Sequence, residues 1–281
     1  MKKLFIMMLA MGTLLTINSC KKETTEAKPD PVIPNVPTTP EGMVKIGETY
    51  IIGSHAKAYV YAKQNLFVGY NTLYIAMHDS TDGKRLTDGL FSLSAEMDMG
   101  AMKHACPIEE NQFIDSNSLM YSSSLVFIMP NVDLEKWTLK IGYHNNKNNK
   151  NGEGILNINV VEANPTRMFS GVLPLDNNAQ VFVSFVLPSK AKIGLNDAEF
   201  TIHKKASNTN FPAVNNYSIV MLPTMPSMGH GSPNNVSPVL TSNGHYKGKV
   251  NFTMTGLWKI QLKLYQDTVL LADQIFFDIV L

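Results

Sequence analysis

Beyond about residue 43 the chain is written in short runs where apolar and polar positions alternate. In "WTLKIGY", Trp137, Leu139, Ile141 and Tyr143 fall on one side of a pleat, with Thr138, Lys140 and Gly142 on the other. That two-residue period is the mark of a half-buried strand. "LWKIQLKLY" repeats it with Trp258, Ile260, Leu262 and Leu264 against Lys259, Gln261 and Lys263. Each tryptophan run follows another alternating segment, "SLVFIM" before the first and "KVNFTM" before the second. The second pair is joined by the tight Thr255-Gly256, a hairpin signal, and the first by the longer "PNVDLEK". No amphipathic period of helical length competes with these strands.

The pattern occurs twice. "NTLYIAMH" (residues 71–78) lies over "NDAEFTIH" (residues 196–203), with Asn first and His last in both, and Tyr121 lies over Tyr246. "GILNINVVE" and "LADQIFFDIVL" close the two halves with further alternating strands. Six or seven short strands per copy, separated by turn-rich segments, predict an all-β protein of two tandem β-sandwich modules. The boundary falls near Asn164-Pro165, giving modules at 46–163 and 164–281.

What precedes the modules changes the compartment. Lys2 and Lys3, the apolar run "LFIMMLAMGTLLTI" and then "NSC" read as a secretory signal ending at a cysteine. Ile17-Asn18-Ser19 resembles a lipobox, which makes residues 1–19 a lipoprotein signal and Cys20 the lipidated first residue of the mature chain. The apolar run is short for a membrane span. Lys21 and Lys22 follow Cys20 where an Asp would mark inner-membrane retention in some bacteria, so the outer membrane is favoured. "KPDPVIPNVPTTPE", with five prolines, makes residues 20–45 an extended, semi-rigid tether. Two of the 24 basic residues leave with the signal, and the mature chain is close to neutral against 23 acidic residues. Nothing in that balance invites nucleic acid.

The duplication carries candidate chemistry. "MDMGAMKHACP" (residues 97–107) and "PTMPSMGHGSP" (residues 223–233) share the spacing M-x-x-M-x-H-x-x-P, which sets Met99 over Met225, Met102 over Met228 and His104 over His230. Thioethers are soft, uncharged ligands that need no deprotonation, and with imidazole they suit Cu(I) better than hard cations. Each trio is close enough in sequence for one connecting loop to wrap an ion. His78 and His203 at matching strand ends, and His245 just before its strand, are possible additional ligands. Cys106, left alone once Cys20 carries lipid, is either a further soft ligand or a buried small hydrophobe. Its counterpart is Ser232, so the two copies have no thiol in common. His55 and His144 have no counterpart and read as surface residues. The alternative is structural: methionine fills irregular gaps, and each motif is a turn folded over the end of a sandwich.

"MPSMGHG" followed by "GHYKGKVNFTMTGLWKIQLKL" resembles the YtkA-like and FixH-like family. The residues that carry the resemblance are Met225, Pro226, Met228, His230, Gly244, Tyr246, Phe252, Met254, Gly256 and Trp258. The first half departs from the pattern, with Gly100-Ala101 in place of Pro226-Ser227 and "FIMPN" in place of "FTMTG". The resemblance implies immunoglobulin-like sandwich modules. It also implies association with heavy-metal transport or cytochrome oxidase assembly systems, and hence copper.

No G-x-S-x-G, H-E-x-x-H, phosphate loop or pair of carboxylates in a shared context occurs, so an enzyme is not expected. The expectation is a lipid-anchored envelope protein binding or handing on copper, Cu(I) favoured, through one Met/His loop per module. Its partners would be the membrane, through the lipid, and an envelope protein of the metal-transport or oxidase-assembly kind. The alternative is a non-catalytic interaction module with no metal site.

Overall fold

The computed structural model describes residues 37–281 apart from 101, 112–113 and 133–134. The signal, Cys20 and most of the tether lie outside the described residues. In the first module the strands are β1 (Val44–Ile51), β2 (Ala56–Ala62), β3 (Gly69–Asp79), β4 (Arg85–Leu86), β5 (Leu90–Asp98), β6 (Lys103–Ala105), β7 (Ile108–Asn111), β8 (Tyr121–Phe127), β9 (Lys136–Asn145) and β10 (Lys150–Ile158). The second module has β11 (Met168–Leu173), β12 (Ala179–Leu187), β13 (Gly194–Lys204), β14 (Ser218–Met225), β15 (His230–Gly231), β16 (Val236–Ser242), β17 (His245–Phe252), β18 (Leu257–Gln266) and β19 (Val269–Val280). No helix occurs among the described residues.

Each module is two antiparallel sheets face to face. The orders β1-β2-β3-β8-β7 and β10-β9-β5-β6 in the first recur as β11-β12-β13-β17-β16 and β19-β18-β14-β15 in the second. The short β4, on β3, is the one strand without a named counterpart among the described residues. The duplication read from the sequence is therefore a duplication of topology.

The predicted inward faces are the cores. Trp137, Leu139, Ile141 and Tyr143 are buried in the first, and Trp258, Ile260, Leu262 and Leu264 in the second. The matching polar residues also do matching work. Asn71 donates to the Phe67 and Gly69 carbonyls and accepts from the Phe67 amide, while Asn196 makes the same three bonds to Lys192 and Gly194. Gly69 and Gly194, at φ +127° and +96°, let the chain turn tightly beneath those amides. The Tyr121 hydroxyl donates to the Gly89 carbonyl at 2.8 Å and that of Tyr246 to Val214 at 2.9 Å. Each indole N–H reaches a methionine carbonyl, Trp137 to Met129 at 2.9 Å and Trp258 to Met254 at 3.0 Å. Buried N–H and O–H groups left unpaired would each cost about 1–3 kcal/mol, which is what these matching bonds avoid.

The two modules pack on each other. On β12, Val181, Val183 and Phe185 face the second core. Phe182 and Ser184 alternate away from it, yet they are also buried, Phe182 within the core cluster of the first module together with Met168 and Phe211. On β13, Glu199, Thr201 and His203 face outward and are buried likewise. The outer face of the larger sheet of module two is thus the seat of module one. The backbone joins the two directly where the Ala105 amide donates to the Asn208 carbonyl at 2.8 Å.

Candidate functional site: two methionine–histidine hairpins

The two motifs lie on hairpins, where loops were expected. In module one β5 turns into β6, with Met97 opposite His104 and Asp98 opposite Lys103. Met97 also stands opposite Trp137 on β9. In module two β14 turns into β15, with Met225 opposite His230. Thr224 is opposite Lys259, so the next step along the ladder brings Met225 level with Trp258. Both modules therefore hold a cross-strand row of tryptophan, methionine and histidine, and side chains in such a row share a face.

This register corrects the alignment of the motif. The partner of Met225 in the first copy is Met97, and Met99 has no structural counterpart, because the first hairpin is two residues longer between its paired methionine and histidine. The alternation Phe91, Leu93, Ala95, Met97, all buried, was the signal that placed Met97 inward.

Around the shared row the surroundings differ. In the first hairpin the Met99 amide donates to the Met102 carbonyl at 2.9 Å, Met99 packs half-buried on the core, and Met102 is 48% exposed. His104 is 8% exposed and its Nδ1 has no partner within the protein. Burial, and then the charge of Lys205 from the second module, hold its imidazole below the ordinary range. In the second hairpin Met225 is buried against Gly256, where an added Cβ would stand 2.9 Å from the methionine Cε. The Met228 and Gly229 amides both donate to the Met225 carbonyl, a tight turn that lifts Met228 to 59% exposure. His230 is half-buried, edge-on to Trp258 at 6.3 Å, with Nδ1 on the Gly231 carbonyl at 2.9 Å. Its Nε2 has no hydrogen-bond partner among the described residues.

The other histidines are not brought to the hairpins of their own modules. The Gly69 end of β3 lies opposite Phe127, beside Trp137. His78 stands nine residues further along β3, about 30 Å at the rise of a strand. His203 is at the same remove from the Phe252 and Trp258 end of module two, and His245, opposite Thr201, is beside it. His78 is already used at both nitrogens, by the Gly83 carbonyl at 2.9 Å and by Arg85 at 3.0 Å. His203 is buried in the seam between the modules and pushed down to about 4 by that burial. Cys106 is buried and burial pushes its thiol far up, so it is a neutral small hydrophobe there.

Among the described residues no three His, Cys, Asp or Glu side chains cluster as a metal site would require. A soft ion bound by thioether and imidazole is a different case. The second hairpin fits that chemistry, with an exposed Met228 side chain, a His230 whose Nε2 has no hydrogen-bond partner among the described residues, and Met225 in the row beside it. At the first, His104 is covered and lies beside a lysine, which opposes a second cation.

Residues 177–263 match the family model described as YtkA-like. The match lies wholly within the second module and includes its hairpin and Trp258. Comparison with curated proteins gives no match. Among solved structures, domains 5–6 of the S-layer protein SbsC overlap 77% of this chain and 91% of their own at 12% identity and a TM-score of 0.29. The bacterial integrin-binding protein invasin overlaps 80% of this chain and 60% of its own at 13% identity and a TM-score of 0.23. Overlaps this shallow assign no function.

Proposed function

We propose that this chain, whose residues 177–263 form a YtkA-like domain, is a non-catalytic, lipid-anchored envelope protein. In this reading it holds one Cu(I) ion at the hairpin of its second module. Met228 and His230 supply the accessible donors, and Met225 is the third, reached by a rotation of its thioether out of the core. The protein's own contribution is to offer soft, neutral donors on a rigid turn, at a site from which the ion can be passed to an envelope partner of the metal-transport or oxidase-assembly kind. The observation that supports this best is that the duplicated Trp–Met–His row survives at both hairpins but stays open only at the second.

The expected result is a Cu(I) stoichiometry near one in competition titration of the soluble Cys20→Ser chain, abolished by His230→Ala. Two equivalents, or one that survives His230→Ala, would overturn the assignment. The anchor has its own test: Cys20→Ser should release the protein from membranes, since an acylated N-terminus is the strong anchor that the sequence offers. A Cys20→Ser chain that still fractionates with membranes would remove that part of the proposal.

A second reading is favoured by the first hairpin, which does join another sandwich through Ala105 and Asn208. Under it the free hairpin of module two is a docking edge for a protein partner and the outer methionine is a contact residue. That reading forecasts no Cu(I) affinity above that of the His230→Ala chain.

A further inference from the structure

The seam between the modules contains a side-chain cluster that neither copy of the motif uses. His245, at the start of β17, places Nε2 2.8 Å from Glu109 Oε1 on β7 of module one. Its Nδ1 lies 2.7 Å from Glu199 Oε1 on β13 of its own module. A neutral imidazole has one N–H, whereas two carboxylate contacts call for two, so the ring held here is the imidazolium. The groups around it are few. Tyr70 on β3 donates its hydroxyl to Glu109 Oε2 at 2.8 Å and turns its ring edge-on to His245 at 5.6 Å. Lys247 on β17 stands 3.4 Å from Glu199 Oε1. His203, buried on the same face, is neutral in the ordinary range, and from β16 Thr241 contributes a hydroxyl to the His245 carbonyl.

Two features set this cluster apart from ordinary packing. The covered face around it is short of internal hydrogen bonds: Ser184 Oγ, Thr201 Oγ1 and His203 Nδ1 are buried without a partner within the protein, as is His104 Nδ1 in the first hairpin. The first module, moreover, has no equivalent of the cluster on its own matching face. Met120 occupies the place of His245 and Tyr74 that of Glu199, as the pairs Ile75–Tyr121 and Phe200–Tyr246 fix.

We infer that the module junction is a proton-dependent latch, in which the His245 imidazolium clamped between Glu109 and Glu199 holds module one on module two. Loss of that proton lets the seam part as a unit and uncovers the first hairpin. The direction in pH follows from the surroundings. The bonds to Glu109 and then Glu199 raise His245 to about 9 against the opposing effect of burial. Its contribution is therefore complete below the unfolded value of about 6.5 and is lost as pH rises through about 9. His203 acts in the opposite sense: buried neutral and lowered to about 4, its contribution is complete above about 6.5 and fades as pH falls toward about 4. The junction is tightest near neutrality.

The Ala105 amide, bonded to Asn208 across the seam, reports opening through its hydrogen exchange, independently of any copper chemistry. At neutral pH, His245→Met, which installs the residue of module one, and Glu109→Gln should each lower Ala105 protection about tenfold, the scale of a lost charge-assisted bond. The Ile260 amide in the second core should keep its protection. In small-angle scattering the wild-type chain should expand as pH rises through about 9, with no such step in His245→Met. Unchanged Ala105 protection in both variants, or a pH step that persists in His245→Met, would overturn the latch. Should His245→Met fail to fold, Glu109→Gln, nearly isosteric, decides the matter alone.

Discussion

The two hairpins are built alike and placed differently. Each sets a tryptophan, a methionine and a histidine in one cross-strand row, with the indole N–H tied to a methionine carbonyl. In module one that row lies against a neighbouring module, with Lys205 near its histidine and Asn208 on its strand. In module two the same construction ends in a turn with an exposed Met228 and a histidine nitrogen to spare. The difference teaches that a repeated motif repeats a fold element, and that what packs against each copy decides how accessible its methionine and histidine are.

The largest expected effect tests the equivalence itself. If Met97 and Met225 fill the same place beside their tryptophans, Met97→Ala and Met225→Ala should each cost about 2–5 kcal/mol in thermal or denaturant unfolding, the range for emptying a buried methionine site. Met99→Ala, which removes a half-buried side chain from the turn, should cost clearly less. A Met99 cost equal to that of Met225, with Met97 mild, would restore the alignment by sequence and break the comparison.

That equivalence marks the limit of what the sequence made legible. The strands were legible because their two-residue period survives side by side in both halves. The matches Asn71 with Asn196 and Tyr121 with Tyr246 held because each keeps one hydrogen-bonding task. The hairpin register was not, since the motif M-x-x-M-x-H matches residue types and ignores the pleat, and a hairpin two residues longer shifts the inward methionine from position 99 to 97. His78, His203 and His245 were possible additional ligands only if the fold brought those strand ends to the motifs, and strand length sets each about 20–30 Å from the hairpin of its own module. For the junction there was a signal: "VFVSFVL" runs apolar on both faces of β12, as a strand covered on both sides does. The pairing of Glu109 with His245, 136 residues apart, carried no such mark.

The smallest expected effect on stability is the sharpest on function. Met102 and Met228, the outer methionines of the two turns, are 48% and 59% exposed, so replacing either with serine should change stability by less than about 0.5 kcal/mol. On Cu(I) binding the two should part. Met228→Ser removes one of the two accessible donors at the open hairpin and should weaken affinity by about tenfold or more, since an imidazole with a single thioether left in the core holds a soft ion poorly. Met102→Ser should leave affinity and stoichiometry unchanged at neutral pH, because its histidine is covered and lies beside Lys205. Parallel competition titrations of the two variants read the comparison directly. Equal losses would mean that the junction does not shield the first hairpin, and that burial of His104 is no barrier to the ion. No loss in either would move the outer methionine of module two from ligand to contact residue, and with it the function from metal capture to protein docking.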